Sequence, residues 1–306
     1  MAIDGIDLYS TSDMERELAR RSPGDLVLLT FRSPQGDRQT HQSILQRFPI
    51  SDRFAFFYFP YLIGLVYMIS SLWVFILRRQ DARGRAFSLF ATSVAIAISS
   101  LFDVYTTHRL TALWTIAVAL SGGSLIHLAL VFPQESRLVE RYPYLRWAGY
   151  FPAIALAIYA LKDLYQFAHP YAYATAWRYE FIFCGLAFIL FIASTSYHLF
   201  HSTVLIVVEQ ARLVLLGIAA SFGPLVFWFF ATVISNEIQF TPLLLIPFIF
   251  FPLVNAYVIL RYRLLIADYL ISRAVLYTFM AALTSVGYAL VVAGLSLVLA
   301  SAVPNL

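Results

Sequence analysis

The sequence predicts an all-α polytopic membrane bundle of about eight transmembrane helices, preceded by a small α+β segment at the N-terminus. Three observations support this fold class. The 306 residues are 60% hydrophobic and only 12% charged, whereas soluble domains usually carry about 25% charged residues. From residue 54 onward, apolar runs recur at the length of about 20 residues that crosses a bilayer. Residues 1–50 lack such runs and carry the turn residues of a water-soluble segment.

The N-terminal segment, residues 1–50, has the pattern of a strand, a helix and a hairpin. AIDGI predicts a short strand with an Asp-Gly turn, and Ser10 or Ser12 is a suitable cap for a helix over STSDMERELARR. LVLLTFR and RQTHQSIL predict two further strands around the turn SPQGD. Because about 50 residues bury little core, we expect this segment to depend on another part of the protein.

The transmembrane bundle, residues 54–300, is predicted to contain eight spans joined by short connectors. The spans are 54–77, 86–105, 110–132, 147–165, 180–204, 212–234, 241–260 and 274–300. The short alternating segments of a transmembrane barrel do not occur in this sequence. The expected partner of these spans is therefore the lipid bilayer, and a helical bundle is the expected architecture.

Arginine residues predict the orientation of the bundle. They concentrate in the connectors that follow the odd-numbered spans: Arg78, Arg79, Arg83, Arg85, Arg137, Arg141, Arg146, Arg212, Arg261, Arg263 and Arg273. Positive residues favour the cytoplasmic side of a membrane. We therefore expect a multi-pass plasma-membrane protein whose N-terminal segment is extracytoplasmic. The clustering in connectors also argues against a nucleic-acid partner.

Charged and aromatic side chains near the outer ends of the spans predict a ligand pocket. The candidates are Asp103, Tyr105, Arg109, Asp163, Tyr165, Trp177, Arg178 and Glu180. A small molecule or a peptide is the expected ligand, and Asp103 would be the deepest charge because it lies within the second span. The alternative is an interfacial belt of aromatic residues and snorkelling charges, which binds no ligand.

Four further candidates are polar side chains within the spans: His127, His198, His201 and Asn255. His198 and His201 are three residues apart and share a helix face, so with His127 they could ligate a metal or a haem. Such side chains more often form hydrogen bonds to a neighbouring helix. We therefore predict no metal and no cofactor, and the single cysteine, Cys184, excludes an intramolecular disulfide framework.

The N-terminal pieces AIDGI, the helix and RRSPGDLVLLTFRSPQGD resemble the second half of a PDZ domain of the bacterial protease-associated type. A PDZ domain binds a peptide by adding it as a strand to its sheet edge. The first half of the domain, which holds the carboxylate-binding loop and the pairing strand, has no counterpart here. The resemblance implies a partial PDZ segment and a chain that is a fragment of a longer protein or a shortened gene product.

Three stretches of the bundle resemble the input region of multi-pass bacterial sensor histidine kinases of the quorum- and competence-sensing class. They are SGGSLIHLALVFPQES (121–136), VEQARLVLLGIAASFGPLVF (208–227) and ILRYRLLIADYLISRAVLYTFMAAL (259–283). The second departs from the pattern because Val208 or Glu209 replaces an arginine. In the third, Asp268 takes the acidic position. The resemblance implies a bacterial two-component sensor that works as a homodimer, with its catalytic region outside this chain.

The function expected from these observations is a membrane-embedded signal-sensing input module. A small-molecule transporter or carrier is the first alternative, and a haem- or metal-binding membrane protein is the second. The sequence contains no H-box, no ATP-binding glycine boxes and no Walker or Rossmann fingerprint. Whether the protein is an enzyme is therefore undecided, although its parent would be a histidine kinase. The glycines of SGGSL predict helix packing rather than phosphate binding.

Overall fold

The computed structural model describes residues 2–8, 11–32, 37–164, 172–235 and 242–261. A small N-terminal sheet, hereafter the front sheet, precedes a bundle of helices. Several predictions fall outside the described residues. They are the eighth span over 274–300, the candidate site residue Tyr165, the candidate cap Ser10, most of the turn SPQGD, Arg263 and Arg273 of the last connector, and most of the third stretch, including Asp268.

The front sheet has four antiparallel strands in the order β2-β1-β3-β4. The elements are β1 (Ala2–Ile3), β2 (Ile6–Asp7), helix α1 (Thr11–Ala19), β3 (Leu26–Arg32) and β4 (Arg38–Ile44). AIDGI forms two strands rather than one, because Asp4 and Gly5 both take positive φ angles, of 47° and 85°. Two such residues make the tight turn that suits a two-residue hairpin.

A polar contact ties this turn to the centre of the sheet. The backbone N–H of Leu28 donates to Asp4 Oδ1 at 2.7 Å, and Arg21 forms a salt bridge with the same carboxylate. Both contacts favour the ionised form. The hydrogen bond from Leu28, assisted by Arg21, therefore holds the pKa of Asp4 below its ordinary value. The sheet buries Ala2, Ile3 and Val27 but leaves Leu28 45% exposed.

The helices of the bundle follow in chain order. They are α2 (Ile50–Arg53), α3 (Phe59–Arg78), α4 (Ala82–Ser99), α5 (Leu101–Tyr105), α6 (Thr111–Val131), α7 (Arg137–Arg141), α8 (Tyr150–Leu164), α9 (Ala172–His201), α10 (Leu205–Ser235) and α11 (Phe250–Arg261). A π turn, Phe54–Tyr58, leads into α3. Two 3₁₀ segments, Pro143–Trp147 and Pro242–Ile249, precede α8 and α11.

Within the described residues, six helical segments are long and apolar enough to cross a membrane. They are Phe54–Arg78, Ala82–Tyr105, Thr111–Val131, Ala172–His201, Leu205–Trp228 and Leu244–Arg261. These six correspond to predicted spans 1, 2, 3, 5, 6 and 7. The predicted fourth span corresponds to α8, which has 15 residues. At 1.5 Å per residue α8 is about 22 Å long, shorter than a bilayer core of about 30 Å.

Contacts along α6 and α9 show that these two helices run parallel. Thr115 meets Trp177, Val118 meets Cys184, and Ala129 meets Ser194, so both residue numbers rise together. The chain must therefore return between the end of α6 and the start of α9. Helix α8 makes this return: Gly149 lies against Ile126 of α6, whereas Ala153 lies against Gly123.

The close contact of α6 with α8 depends on small residues. A Cβ atom at Gly123 would lie 2.8 Å from the carbonyl oxygen of Gly149, and one at Gly149 would lie 2.6 Å from that of Gly123. A Cβ atom at Gly122 would collide with the ring of Phe183 on α9. The predicted role of SGGSL in helix packing is thus confirmed, because small residues let the helix backbones approach closely.

The two ends of the bundle differ in character. At the sheet end, the ring of Phe48, which follows the front sheet, packs edge-on against Phe102 at 5.8 Å. At the arginine end, the guanidinium of Arg78 donates to the carbonyl of Leu260, the next-to-last residue of α11, at 3.1 Å. Arg85 donates to the carbonyls of Arg79 and Gln80 just beyond α3. These arginines satisfy carbonyl groups that helix ends leave unpaired.

Candidate functional site

A cavity of about 540 Å³ lies at the sheet end of the bundle. Its lining is mostly apolar and comes from the linker after the front sheet, the start of α3, helix α5 and the second 3₁₀ segment. The lining residues are Phe48, Ala55, Phe56, Pro60, Leu101, Phe102, Tyr105, Thr106 and Leu245. Small-molecule sites usually enclose about 300–1,000 Å³ within mainly apolar walls. The cavity therefore has the size and chemistry of a site for an apolar ligand.

Asp103 lies on α5, next to this cavity, but its carboxylate is engaged locally. Its side chain accepts a hydrogen bond from the hydroxyl of Thr107 and one from the backbone N–H of Leu110, at 2.6 Å. Leu110 immediately precedes α6, so Asp103 holds the connector between α5 and α6 in place. That Asp103 is the deepest charge of a ligand pocket stays a prediction, and in this structure its carboxylate holds the connector between α5 and α6.

Two tryptophans join α6 to α9 one helical turn further into the bundle. The rings of Trp114 and Trp177 lie edge-to-face with centroids 4.6 Å apart. The indole N–H of Trp177 donates to the hydroxyl of Thr115 at 3.1 Å, and Thr115 in turn donates to the carbonyl of Thr111. Edge-to-face packing and a hydrogen bond together fix the rotation of α9 against α6.

Glu180 lies on α9 between Trp177 and Cys184, and its side chain is 0% exposed. Neither carboxyl oxygen has a hydrogen-bond partner within the part of the chain that the structure describes. Intramembrane ionisable residues are costly, and they commonly mark a functional position. Of the predicted site residues, Glu180 and Trp177 are thus brought together in the interface of α6 and α9.

The remaining predicted pocket residues do not join this pair. Tyr105 lines the cavity and is 72% exposed. Arg178 is exposed on another face of α9, Asp163 is half-buried near the end of α8, and Arg109 lies in the connector before α6. The sequence did not single out Phe48, Phe102, Trp114 or Thr115. The only sequence signal for the last two was a tryptophan and a threonine within an apolar span.

The intramembrane polar residues form separate contacts. His127 Nδ1 lies 3.0 Å from the hydroxyl of Tyr150 on α8, and Asn255 Nδ2 donates to the carbonyl of Phe251. His201 stacks on Tyr197 at the exposed end of α9, one turn beyond His198. No group of three His, Cys, Asp or Glu side chains placed to hold a metal occurs in the described ranges. The predicted alternative of ligation by three histidines thus has no geometric support among these residues.

A second cavity, of about 370 Å³, lies at the arginine end. Its walls include the charged residues Asp81, Arg83 and Glu135 together with the buried amide of Gln210. Glu135 also accepts a hydrogen bond from Arg146 at 3.0 Å. The start of α4, the segment after α6 and the start of α10 therefore meet at one end, as the positions of the arginines predicted.

Comparison of this chain with protein-family profiles, with curated proteins and with solved structures finds no match.

Proposed function

We propose that the chain is a membrane-embedded signal-sensing input module that binds an apolar or amphiphilic signal in the cavity at its sheet end. The observation that carries this proposal is the composition of the cavity wall. One ligand of about 540 Å³ would touch the linker from the front sheet, helix α5 and Leu245 of the second 3₁₀ segment at once. A ligand that prefers one arrangement of these three elements shifts the population of that arrangement.

The path from the cavity to the arginine end runs through α11. Leu245 lies in the 3₁₀ segment that leads directly into α11, and the end of α11 is hydrogen-bonded to Arg78 through Leu260. Pro247 lies inside this segment. A segment without regular α-helical bonding costs less to rearrange than a helix interior does. In the proposal, movement of this segment transmits occupancy of the cavity to the other side of the membrane.

The proposed topology keeps the eight predicted spans, with α8 as the fourth, because the parallel packing of α6 and α9 requires a returning segment. The arginine end is then cytoplasmic, and the front sheet is extracytoplasmic. The proposed parent is a bacterial two-component sensor kinase, with a PDZ-like front segment and a homodimeric bundle. The support for this identity is the order of strands and helix in the front sheet and the three quoted stretches.

Photolabelling with a diazirine-bearing long-chain fatty acid tests the ligand site. In lipid nanodiscs, we expect labelled peptides from residues 55–60 and 101–106. Ala55→Trp places an indole in the cavity and should abolish that labelling, whereas Ala219→Trp, at an exposed position of α10, should leave it intact. Labelling confined to lipid-facing positions such as Phe75 and Ile76, with no effect of Ala55→Trp, contradicts the proposal.

Cysteine labelling tests the topology in a Cys184→Ser background. A membrane-impermeant maleimide applied to intact cells should modify Arg20→Cys in the front segment. It should spare Arg83→Cys and Arg141→Cys until the cells are opened. Modification of the last two in intact cells, together with protection of the first, would reverse the proposed orientation.

A transporter is the second candidate, and the pair of cavities favours it. One cavity opens at the sheet end and a separate one at the arginine end, so the bundle offers a binding space toward each side. The same diazirine fatty acid serves as the probe in proteoliposomes. Time-dependent accumulation that Ala55→Trp abolishes supports a carrier. Saturable binding without accumulation supports a sensor.

A further inference from the structure

Glu180 points into the interface between α6 and α9. Trp177, one turn before it, donates a hydrogen bond to Thr115 of α6, and Cys184, one turn after it, donates to the carbonyl of Val118. Side chains three and four residues apart lie on one face of a helix. The carboxyl group of Glu180 therefore faces the same helix as its two neighbours, and no part of it reaches the surface.

No cation compensates a charge at this position within the described segments. Both carboxyl oxygens lack hydrogen-bond partners there. On α6, His127 lies at the arginine end and contacts Tyr150. On α8, the exposed Lys162 and the half-buried Asp163 belong to the last turn. On α10, Glu209 and Arg212 lie near the arginine end, and on α9 itself Arg178 is exposed.

Such surroundings strongly disfavour an ionised carboxylate. Removing one charge from water without compensation is strongly unfavourable even after the protein relaxes, so the group neutralises by keeping its proton. We propose that Glu180 is a proton-binding site: it is a neutral carboxylic acid while α6 and α9 are packed together, and it releases its proton only when they separate. This inference does not depend on the proposed signal or on its cavity.

The release is a simple proton transfer. The O–H bond of the carboxyl group breaks, its electron pair stays on the carboxylate oxygen, and the proton passes to water that enters between the helices. The tryptophan pair Trp114 and Trp177 lies between Glu180 and the sheet end, so water reaches the carboxyl from that end after the pair opens. Proton release therefore reports the packing of α9 against α6.

Infrared spectroscopy of the protein in an ester-free detergent such as dodecyl maltoside tests the proposal. At pH 7, we expect the carbonyl stretch of a protonated carboxyl group in the wild-type protein and its loss in Glu180→Gln, which keeps the shape but holds no titratable proton. Glu140→Gln, an exposed position of α7, is the matched control and should keep the band. Absence of the band from the wild-type protein at pH 7 overturns the proposal.

Two further measurements separate the proton site from a folding defect and from a cation site. If Glu180→Gln does not fold, wild-type protein labelled with ¹³C-carboxyl glutamate provides the assignment, because an isotope shift of the band supports a protonated glutamate and its absence overturns it. A bound metal cation is the competing occupant. Replacing choline chloride with sodium or potassium chloride should leave the melting temperature unchanged. A rise specific to one cation, lost in Glu180→Gln, would overturn the proton site.

Discussion

The front sheet and the helical bundle use different means to hold their shape. The sheet buries Ala2, Ile3 and Val27 and relies on the polar contacts of Asp4 with Leu28 and Arg21. The bundle has a continuous apolar core that extends through α3, α4, α6, α9, α10 and α11, and glycine contacts bring its helices close together. The polar contacts of the sheet lie at its surface, where water competes with them. In the bundle, packing and buried polar contacts decide stability.

If helix packing stabilises the bundle, the largest loss of stability is expected from a substitution at the contact between α6 and α8. Gly123→Leu would place side-chain atoms against the carbonyl of Gly149, which is backbone and cannot rotate away. We expect a loss of about 3 kcal/mol in the free energy of unfolding, measured by thermal unfolding of the detergent-solubilised protein. Gly185→Leu is the control, because a Cβ atom there meets no other atom within 4 Å. Equal stability of both variants would show that small-residue packing does not govern the bundle.

The next effect separates the two regions directly. Ile3→Ala removes a fully buried side chain from the front sheet and should lower its local stability by about 2 kcal/mol. Limited trypsin digestion should then cut at Arg16, Arg20 and Arg21 sooner, while the melting temperature of the bundle stays constant. Ile6→Ala, at an exposed position of the same sheet, should leave both measurements unchanged. A parallel fall in bundle stability after Ile3→Ala would show that the two regions unfold together.

A smaller effect is expected where the bundle uses a polar contact. Trp177→Phe keeps an aromatic ring against Trp114 but removes the hydrogen bond to Thr115. The expected cost is about 1 kcal/mol, read from thermal unfolding in detergent. Trp147→Phe is the matched control, because Trp147 is more than half exposed in the first 3₁₀ segment. If Trp147→Phe lowered the stability more than Trp177→Phe, then Trp147 at the arginine end would be the more important tryptophan for stability.

The smallest effect concerns pH and the front sheet. The pKa of Asp4 is lowered in the folded sheet, chiefly by the hydrogen bond from Leu28. A lowered folded-state pKa contributes stability that is complete above the ordinary pKa of about 4 and is lost as the pH falls through the folded value. Wild-type sheet should therefore become more sensitive to an acid protease such as pepsin below about pH 4. Asp4→Asn should already be sensitive at pH 5 and change less on acidification, whereas Asp7→Asn should follow the wild type.

Hydropathy predicted where the helices of the bundle lie along the chain, but not how each helix is rotated about its own axis. Six predicted spans correspond to helices long enough to cross a membrane, because span length depends on apolar content alone. The orientation of α9 about its axis was not predictable in this way. This helix is apolar on all sides, so Arg178 and Glu180 look alike in the sequence although one is exposed and the other is buried. Contacts with α6 make that distinction.

In the front sheet, by contrast, the turn could be predicted from the sequence, because neighbouring residues determine it. The Asp4-Gly5 pair has the composition of a tight hairpin turn, and the backbone angles agree with it. The cavity at the sheet end could not be predicted from the sequence, because residues as distant along the chain as Phe48, Tyr105 and Leu245 meet there. Aromatic residues near the span ends suggested a site, but the packing of the helices determines which of them line it.

The shortness of α8 has a consequence for how the protein is made. A helix of about 22 Å gains too little from lipid contact to settle in a bilayer by itself. Gly123 of α6 lies directly against Gly149 and Ala153 at the start of α8, so close packing on α6 supplies contacts that its short length does not. In the proposed eight-span topology, α8 would therefore enter the bilayer together with its neighbours α6 and α9 rather than alone.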